Sequence, residues 1–173
     1  MEDFQPDGVS WAKGLGGGIP IGAAWLSARI KGNKPLFELL GPGSHGCTFG
    51  GNPLSCQVAL KVLEQIEKNS LLENVRQRNQ QLVEGIQDLR SPLVKEVKGL
   101  GLMLGIELDI ARVEKINAYD SSISPAVNIV KRLFAEGMLV VGAGESVVRL
   151  LPALNVSEED CEVALSKLTR VFV

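Results

Sequence analysis

Residues 12–22 read AKGLGGGIPIG, and in this stretch a single lysine, Lys13, stands directly ahead of a loop with five glycines. Glycines supply backbone conformations with positive φ and allow a ligand to approach the main chain closely. Burial of a lysine favours its neutral amine, which can attack a carbonyl group. The local pattern therefore leaves two interpretations open for Lys13, a reactive amine or a solvated side chain at the end of a strand.

The composition around this stretch indicates an ordinary globular chain. The 173 residues are 45% hydrophobic and 22% charged, and the net charge of −2 gives no argument for binding nucleic acid or an anionic membrane. Apolar runs stay short of the roughly 20 residues that a membrane span needs, and the acidic N-terminal segment is unlike a leader peptide. The three cysteines have neither disulfide nor metal-ligand spacing. We expect a cytoplasmic protein without a metal site.

A second glycine cluster occupies residues 41–51 and contains the only histidine, His45. Residues 41–46 match the bare G-x-G-x-x-G spacing of a dinucleotide-binding loop, but no helix opens there and no strand–loop–helix unit surrounds them. A Walker phosphate loop is excluded as well, because its lysine follows the glycines whereas Lys13 precedes them. Two glycine clusters near a lone lysine and a lone histidine favour a functional site.

The periodicity of the chain divides it into three parts. Residues 1–51 contain two short apolar strands, at 8–10 and 22–27, of the kind buried on both faces in a parallel or mixed sheet. Two short strands are marginal alone, so we expect this part to lack neighbours. Residues 52–90 form connecting helices, the first capped by Asn52 with Pro53 behind it, and a capping box of Ser70 with Glu73 opens the second.

Residues 91–173 are expected to form a small α+β domain whose antiparallel sheet is covered by helices. Its predicted strands lie at 93–98, 102–108, 139–141 and 147–150. One helix begins at Ser124-Pro125 and ends near Gly137, and the last begins with a capping box of Ser157 and Asp160.

Four motifs of the chain resemble those of the class-III aminotransferases, the group of acetylornithine, ornithine and 4-aminobutyrate aminotransferases. They follow one another in the family's order and read AKGLGGGIPIG at 12–22, HGCTFGGNPL at 45–54, VKGLGLMLGIEL at 97–108 and VRLLPAL at 148–154. The family often has a second proline where this chain has Ala153. Because the motifs cover nearly the whole chain, the resemblance selects the reactive interpretation of Lys13.

The resemblance implies a role for each of three residues. Lys13 would form the internal Schiff base with pyridoxal phosphate and shuttle the proton during transamination. The Thr48 hydroxyl and backbone N–H would reach the phosphate of the cofactor in the other subunit. Arg149 would bind a carboxylate, either that of the substrate or that of a gating glutamate. We assign no catalytic role to His45.

The resemblance also implies a fold-type-I transferase of which this chain is the C-terminal half: the end of the large-domain sheet, the interdomain helix and the small domain. The family's ring-nitrogen aspartate, phosphate loop and stacking aromatic residue lie ahead of its lysine and are not among the twelve residues before Lys13. The expected reaction transfers an amino group from an acetylornithine- or ornithine-type donor to 2-oxoglutarate in a homodimer. The alternative is a non-catalytic small-domain module that associates with another chain.

Overall fold

The computed structural model describes residues 5–173, which fall into two compact units, Met1–Asn69 and Ser70–Val173. The acidic N-terminal segment, on which the expectation about a leader peptide rests, lies mostly outside the described residues. Among the described residues, no helix has the length and apolar character required to cross a membrane.

The first unit contains little regular sheet. Strands β1 (Gly8–Trp11) and β2 (Ala23–Leu26) pair antiparallel, with Gly8 opposite Leu26, and a 3₁₀ turn at Lys13–Gly16 lies between them in sequence. A two-residue hairpin of β3 (Ile30–Lys31) and β4 (Lys34–Pro35) follows, then a 3₁₀ helix at Leu36–Leu40. The unit closes with helix α1 (Pro53–Lys68).

Both predicted strands of this unit exist, but the prediction that they are buried on both faces is wrong. Most residues of β1 and β2 are exposed, and Trp11 and Trp25 are each 47% exposed. The two strands pair only with each other, so no further strand extends this sheet within the described residues. The sequence pattern did not predict the hairpin at residues 30–35, whose strands are too short to show alternation.

The second unit is a four-stranded antiparallel sheet with helices packed against it. Its strands are β5 (Val94–Leu100), β6 (Met103–Leu108), β7 (Val141–Ala143) and β8 (Val147–Leu150), in the spatial order β5-β6-β8-β7. Its helices are α2 (Leu71–Asp88), the short α3 (Ile110–Val113), α4 (Pro125–Ala135) and α5 (Glu158–Phe172). The predicted α+β arrangement with an antiparallel sheet is confirmed.

One continuous hydrophobic core holds this unit together. Alternate residues of β6 and β8 point inward and are almost fully buried, which is the period of two expected for a sheet with one covered face. Helices α2, α4 and α5 supply the other side of the core. Its buried members are Leu82, Ile86, Leu102, Leu104, Ile106, Leu108, Val113, Ala126, Ile129, Leu133, Val148, Leu150, Cys161, Leu168 and Phe172.

The helix ends test the predicted caps one by one. The Asn52 side chain accepts from the backbone N–H of Leu54 and Ser55, and the Ser157–Asp160 capping box is complete, so both predictions are confirmed. The predicted capping box at Ser70 is wrong. Ser70 has a φ of +49 and its side chain caps nothing, because only Asn69 and Ser70 separate α1 from α2 and this tight turn excludes an extended capping residue.

The strand predicted at 139–141 begins later than expected, at Val141. The backbone N–H of Met138 donates to the carbonyl of Leu133 at 2.8 Å, which wraps the chain around the end of α4. The chain therefore reaches the sheet only at Val141. The helix itself begins at Pro125 behind the Ser124 cap and ends just before Gly137, as predicted.

Candidate active site

Lys13 stands at the point where β1 gives way to the glycine loop. It is the first residue of the 3₁₀ turn, its side chain is exposed, and its backbone has a φ of +53. A left-handed conformation in a residue with a Cβ costs on the order of 1–3 kcal/mol and persists only where the surroundings impose it. Ser70, Arg90 and Ala118 have the same left-handed conformation, so the backbone of Lys13 is distinguished only by its place ahead of the glycine loop.

Helix α1 fixes the loop that follows Lys13. Gly17 has a φ of +55, and a Cβ built there would lie 3.2 Å from Cγ2 of Val62 on the helix. The glycine therefore satisfies two demands at once, a left-handed backbone and a close approach to α1. Because the loop packs on a sixteen-residue helix, the position of Lys13 relative to α1 is determined by backbone packing.

A cleft of about 250 Å³ lies within the first unit, between residues 20–22 and the turn that precedes α1. Thr48 belongs to that turn, which is closed by a hydrogen bond from the Gly50 N–H to the Cys47 carbonyl at 3.1 Å. The Thr48 side chain is exposed. Neither Lys13 nor Thr48 lines the cleft itself, although the neighbours of Thr48 on both sides do.

The turn that carries Thr48 leads directly into the amino terminus of α1. Helix amino termini attract anions because their N–H groups point outward and the helix dipole is positive there. The Asn52 side chain already satisfies the N–H groups of Leu54 and Ser55, at 3.0 and 3.2 Å. An anion at this end would therefore rely on the glycine-rich turn and the Thr48 hydroxyl.

His45 has a structural hydrogen bond. Its Nε2 lies 3.0 Å from the carbonyl oxygen of Leu40, and since a carbonyl only accepts, Nε2 donates. This bond ties the loop that carries the second glycine cluster to the end of the 3₁₀ helix at Leu36–Leu40. The contact is consistent with our assigning no catalytic role to His45.

Arg149 lies in the second unit, on the sheet face opposite the core. Its neighbours on β8, Val148 and Leu150, point into the core, so the alternation of the strand turns Arg149 outward. The side chain is half-buried, and its Nε is buried without a hydrogen-bond partner among the described residues. A buried guanidinium N–H without a partner is costly in free energy, which indicates that Arg149 is suited to bind an anion.

Sequence reasoning missed a cluster of charges on the same sheet face. Both oxygens of Glu107 are occupied, Oε1 by Lys95 Nζ at 2.7 Å and Oε2 by Lys98 Nζ at 2.5 Å. These bonds lower the pKa of Glu107 to about 2. The hydrogen bonds that Lys98 donates to Glu107 and Glu96 raise the pKa of Lys98. The alternate apolar residues Leu104, Ile106 and Leu108 of β6 were the signal that placed Glu107 on this face.

The three residues predicted for the site thus lie in different units, Lys13 and Thr48 in the first and Arg149 in the second. Their chemistry comprises an amine on a strained backbone, a hydroxyl beside a helix amino terminus, and a guanidinium with an unsatisfied N–H. An amine can condense with an aldehyde, a hydroxyl can donate to a phosphate, and a guanidinium can bind a carboxylate.

Comparison with known families and proteins finds similarity over nearly the whole chain. Residues 1–172 match the family model described as aminotransferase class-III. The acetylornithine aminotransferase of Prochlorococcus marinus is 40% identical over 173 residues, which is 98% of this chain and 37% of that relative. The ornithine aminotransferase of Bacillus anthracis is 38% identical over 172 residues, 99% of this chain and 38% of its own length.

The same likeness holds in three dimensions. The crystal structure of the acetylornithine aminotransferase from Elizabethkingia anophelis superposes on this chain with a TM-score of 0.79 at 28% sequence identity. The superposition covers 99% of this chain and 42% of the Elizabethkingia chain. The 173 residues therefore have the fold of the corresponding part of a fold-type-I aminotransferase. The chain spans less than two fifths of the length of the curated relatives named above.

Proposed function

The chain belongs to the class-III aminotransferase family, and on that premise we propose that it is the C-terminal portion of an enzyme with Lys13 as the cofactor-attaching residue. The proposed reaction transfers an amino group from an acetylornithine- or ornithine-type donor to 2-oxoglutarate. The observation that supports it most is the match over residues 1–172. The donor is proposed because the relatives are acetylornithine and ornithine aminotransferases.

The cofactor of this family is pyridoxal phosphate, and the Lys13 amine and the Thr48 hydroxyl beside a helix amino terminus are groups suited to its aldehyde and its phosphate. When bound, it supplies an aldehyde that condenses with amines and a ring that accepts electrons. Lys13 would hold it through its side-chain nitrogen, and the exposed side chain is free to extend towards an aldehyde. The same nitrogen would then move a proton between two carbon atoms of the bound reactants.

Thr48 would bind the cofactor phosphate of the other subunit in a homodimer. Its hydroxyl is exposed at the start of a glycine turn that leads into α1, a position where a phosphate is favoured. The dimer is further supported by exposed apolar side chains in the first unit, such as Phe49, Leu54 and Leu60. An exposed apolar surface of this kind is typical of a surface that another protein segment covers.

Arg149 would bind a carboxylate, of the substrate or of a gating glutamate. Its planar guanidinium can donate two parallel hydrogen bonds to a carboxylate, and it has an unsatisfied buried N–H. We place the enzyme in the cytoplasm, as expected from composition, and propose small molecules as its reactants.

A second candidate is a non-catalytic module that associates with another chain. It is favoured by the self-contained core of residues 70–173, which the second unit builds from its own helices and sheet. We favour the catalytic proposal, because the family match extends over residues 1–172 and so includes the first unit, with Lys13 and Thr48, as well as that core.

The test combines this chain with the segments of an acetylornithine aminotransferase that it does not cover, by fusion or by co-expression. We expect turnover of acetylornithine with 2-oxoglutarate by the combined enzyme and no appreciable turnover by the 173-residue chain alone. Lys13→Ala should abolish turnover, whereas Lys31→Ala, at another exposed lysine of the same unit, should not. Turnover by the isolated chain would contradict the proposed division of the site.

Arg149→Ala in the combined enzyme should leave cofactor attachment intact and weaken substrate use. Loss of an arginine–carboxylate contact from a half-buried position costs about 2–4 kcal/mol, or roughly 30- to 1000-fold in kcat/KM. Arg112→Ala is the matched control, because Arg112 is exposed on α3. If Arg149→Ala lost the cofactor while Lys13→Ala retained it, both assignments would be wrong.

A further inference from the structure

The outer face of the sheet in the second unit places Arg149 beside a residue without a side chain. Gly105 on β6 pairs directly with Arg149 on β8, and Lys98 on β5 pairs with Gly105 from the other side. The row across this face therefore runs Lys98, Gly105, Arg149. Space above Gly105 is limited, because a Cβ built there would lie 3.0 Å from Cγ1 of Val147.

Glu107 is the carboxylate next to Arg149 on this face. It pairs with Val147 and so lies one diagonal step from Arg149. Diagonal neighbours across an antiparallel pair are roughly 7–8 Å apart at the backbone, within reach of long side chains. An arginine with an unsatisfied N–H and a glutamate at this separation would ordinarily form an ion pair.

They do not, because Glu107 is bound on its other side. Lys98 Nζ contacts Oε2 at 2.5 Å, and Lys95 Nζ contacts Oε1 at 2.7 Å. A β-bulge between Val94 and Glu96 makes this possible, since Lys95 is the additional residue in β5 and bulges redirect side chains. With both oxygens engaged, Glu107 is turned towards β5 and away from β8.

Arg149 is correspondingly unpaired. None of the ion pairs formed within residues 5–173 involves it, and its buried Nε has no hydrogen-bond partner there. The bulged strand thus keeps Glu107 from the arginine by giving its carboxylate two other cations.

We propose that Lys95 and Lys98 are positioning residues that withhold Glu107 from Arg149 and so keep the Arg149 guanidinium free for the carboxylate of an incoming small molecule. The proposal deepens the function proposed above and rests on it for the identity of the ligand. It assigns a purpose to the bulge at Lys95, which the pairing of the sheet alone does not require.

A purely structural role for the two lysines is the competing explanation. Glu96 and Glu107 pair directly across β5 and β6, and opposed like charges destabilise a sheet. Lys98 also contacts Glu96, at 3.1 Å, and would relieve that repulsion. This explanation predicts a change in stability when the lysines are removed and no change at Arg149, so the two explanations differ at Arg149.

The experiment follows the Nε–H signal of Arg149 by NMR in the 173-residue chain. Glutarate is the probe, a dicarboxylate that has no amino or keto group to react. In the unaltered chain we expect the signal to shift on addition of glutarate. In the double variant Lys95→Met/Lys98→Met, Glu107 should pair with Arg149, so the signal should already be displaced before glutarate is added. Competition with this partly exposed pair should lower the apparent glutarate affinity about two- to fivefold.

Adding Glu107→Gln to the double variant should restore both the signal and the affinity, because the competing carboxylate is then gone. The control Lys115→Met/Lys131→Met removes two exposed lysines elsewhere in the second unit and should leave the Arg149 signal unchanged. Backbone spectra confirm that each variant is folded.

The outcomes test the positioning role of Lys95 and Lys98 separately from the carboxylate-binding role of Arg149. If the Arg149 signal of Lys95→Met/Lys98→Met matches that of the unaltered chain, the inference about the lysines is overturned, whatever glutarate does. If that signal moves and Glu107→Gln returns it, the inference is supported. Failure of glutarate to shift Arg149 in the unaltered chain would instead count against Arg149 as a carboxylate-binding residue, which belongs to the proposed function.

Discussion

The two units of the molecule are built on different physical principles. In the first, Ala59 is the one buried hydrophobic residue among those described, and glycine turns, 3₁₀ segments and short strands make up most of the chain ahead of α1. In the second, a continuous core joins strands β6 and β8 to helices α2, α4 and α5. The second unit therefore has the means to be stable on its own, whereas the first presents apolar side chains to solvent.

The comparison shows that the proposed cofactor-binding residues and the main hydrophobic core lie in different units of the chain. The proposed cofactor residues, Lys13 and Thr48, belong to the unit with the weaker core, in segments whose backbone is determined by glycines. Arg149 belongs to the unit with the stronger core, on a strand whose alternate residues anchor it. We expect changes at exposed side chains of the first unit to affect stability little and changes in the core of the second unit to affect it strongly.

The largest expected effect is a difference in stability between variants of the two units. If that difference is absent, the contrast between the two units is wrong. Leu133 on α4 is fully buried, so Leu133→Ala should lower the free energy of unfolding by about 2–5 kcal/mol. Leu63→Ala on α1 should change it by less than about 0.5 kcal/mol, because Leu63 is half-exposed. Urea unfolding followed by circular dichroism measures both. Equal losses at the two leucines would show that the units share one core.

Hydrogen exchange should show the same contrast along the backbone. The edges of β1 and β2 have no further strand beside them within the described residues, whereas β6 and β8 are paired on both sides. We expect the slowest amides of residues 5–51 to exchange at least roughly 100-fold faster than the slowest of β6. Uniform protection would indicate that the first unit is covered, with a second copy of the chain as the first candidate.

The stability of the second unit should depend on pH through the contacts of Glu107. The hydrogen bonds from Lys95 and Lys98 lower the folded-state pKa of Glu107 from its ordinary value of 4.5 to about 2. A depressed folded pKa contributes stability that is complete above the unfolded value and is lost as the pH falls. Stability should therefore drop between about pH 4.5 and about pH 2, and Glu107→Gln should reduce that drop.

Urea midpoints across this pH range measure the effect. Glu162→Gln is the matched control, because Glu162 is exposed on α5 and forms none of the ion pairs within residues 5–173. The same slope in Glu107→Gln and in the unaltered chain would contradict the contacts assigned to the two lysines.

The smallest expected effect compares two serines at helix starts. Ser157 completes a capping box on α5, so Ser157→Ala should cost about 1 kcal/mol. The Ser70 side chain caps nothing, so Ser70→Ala should change stability by only a few tenths of a kcal/mol. Thermal or urea unfolding of the two variants gives the difference. An equal loss of stability in Ser70→Ala and Ser157→Ala would contradict the structure, in which the Ser70 side chain forms no cap.

The second unit was largely predictable from the sequence, because its elements are long and its apolar spacing is regular. The caps at Asn52 and Ser157 were found from a single polar residue in the right place. The prediction of a capping box at Ser70 was wrong, because only Asn69 and Ser70 separate α1 from α2 and so short a turn excludes the capping conformation. The spacing of Ser70 and Glu73 in the sequence does not show how short that turn is.

The first unit was less predictable, because its strands are short and their burial depends on what else packs against them. Apolar composition indicated buried strands, but Trp11 and Trp25 are half-exposed. For the site, the motifs named Lys13, Thr48 and Arg149, while Lys95 and Glu107 were missed. Their contact depends on a β-bulge, and a one-residue irregularity leaves no mark in the hydrophobic period.

The central claim is that Lys13 attaches the cofactor, and one measurement addresses it directly. The combined enzyme is loaded with pyridoxal phosphate, treated with borohydride to fix the cofactor to its lysine, digested, and examined by mass spectrometry. We predict that the added mass is on the peptide that contains Lys13 and nowhere else in this chain. Attachment to Lys31, Lys34 or any other lysine, with Lys13 unmodified, would contradict the account.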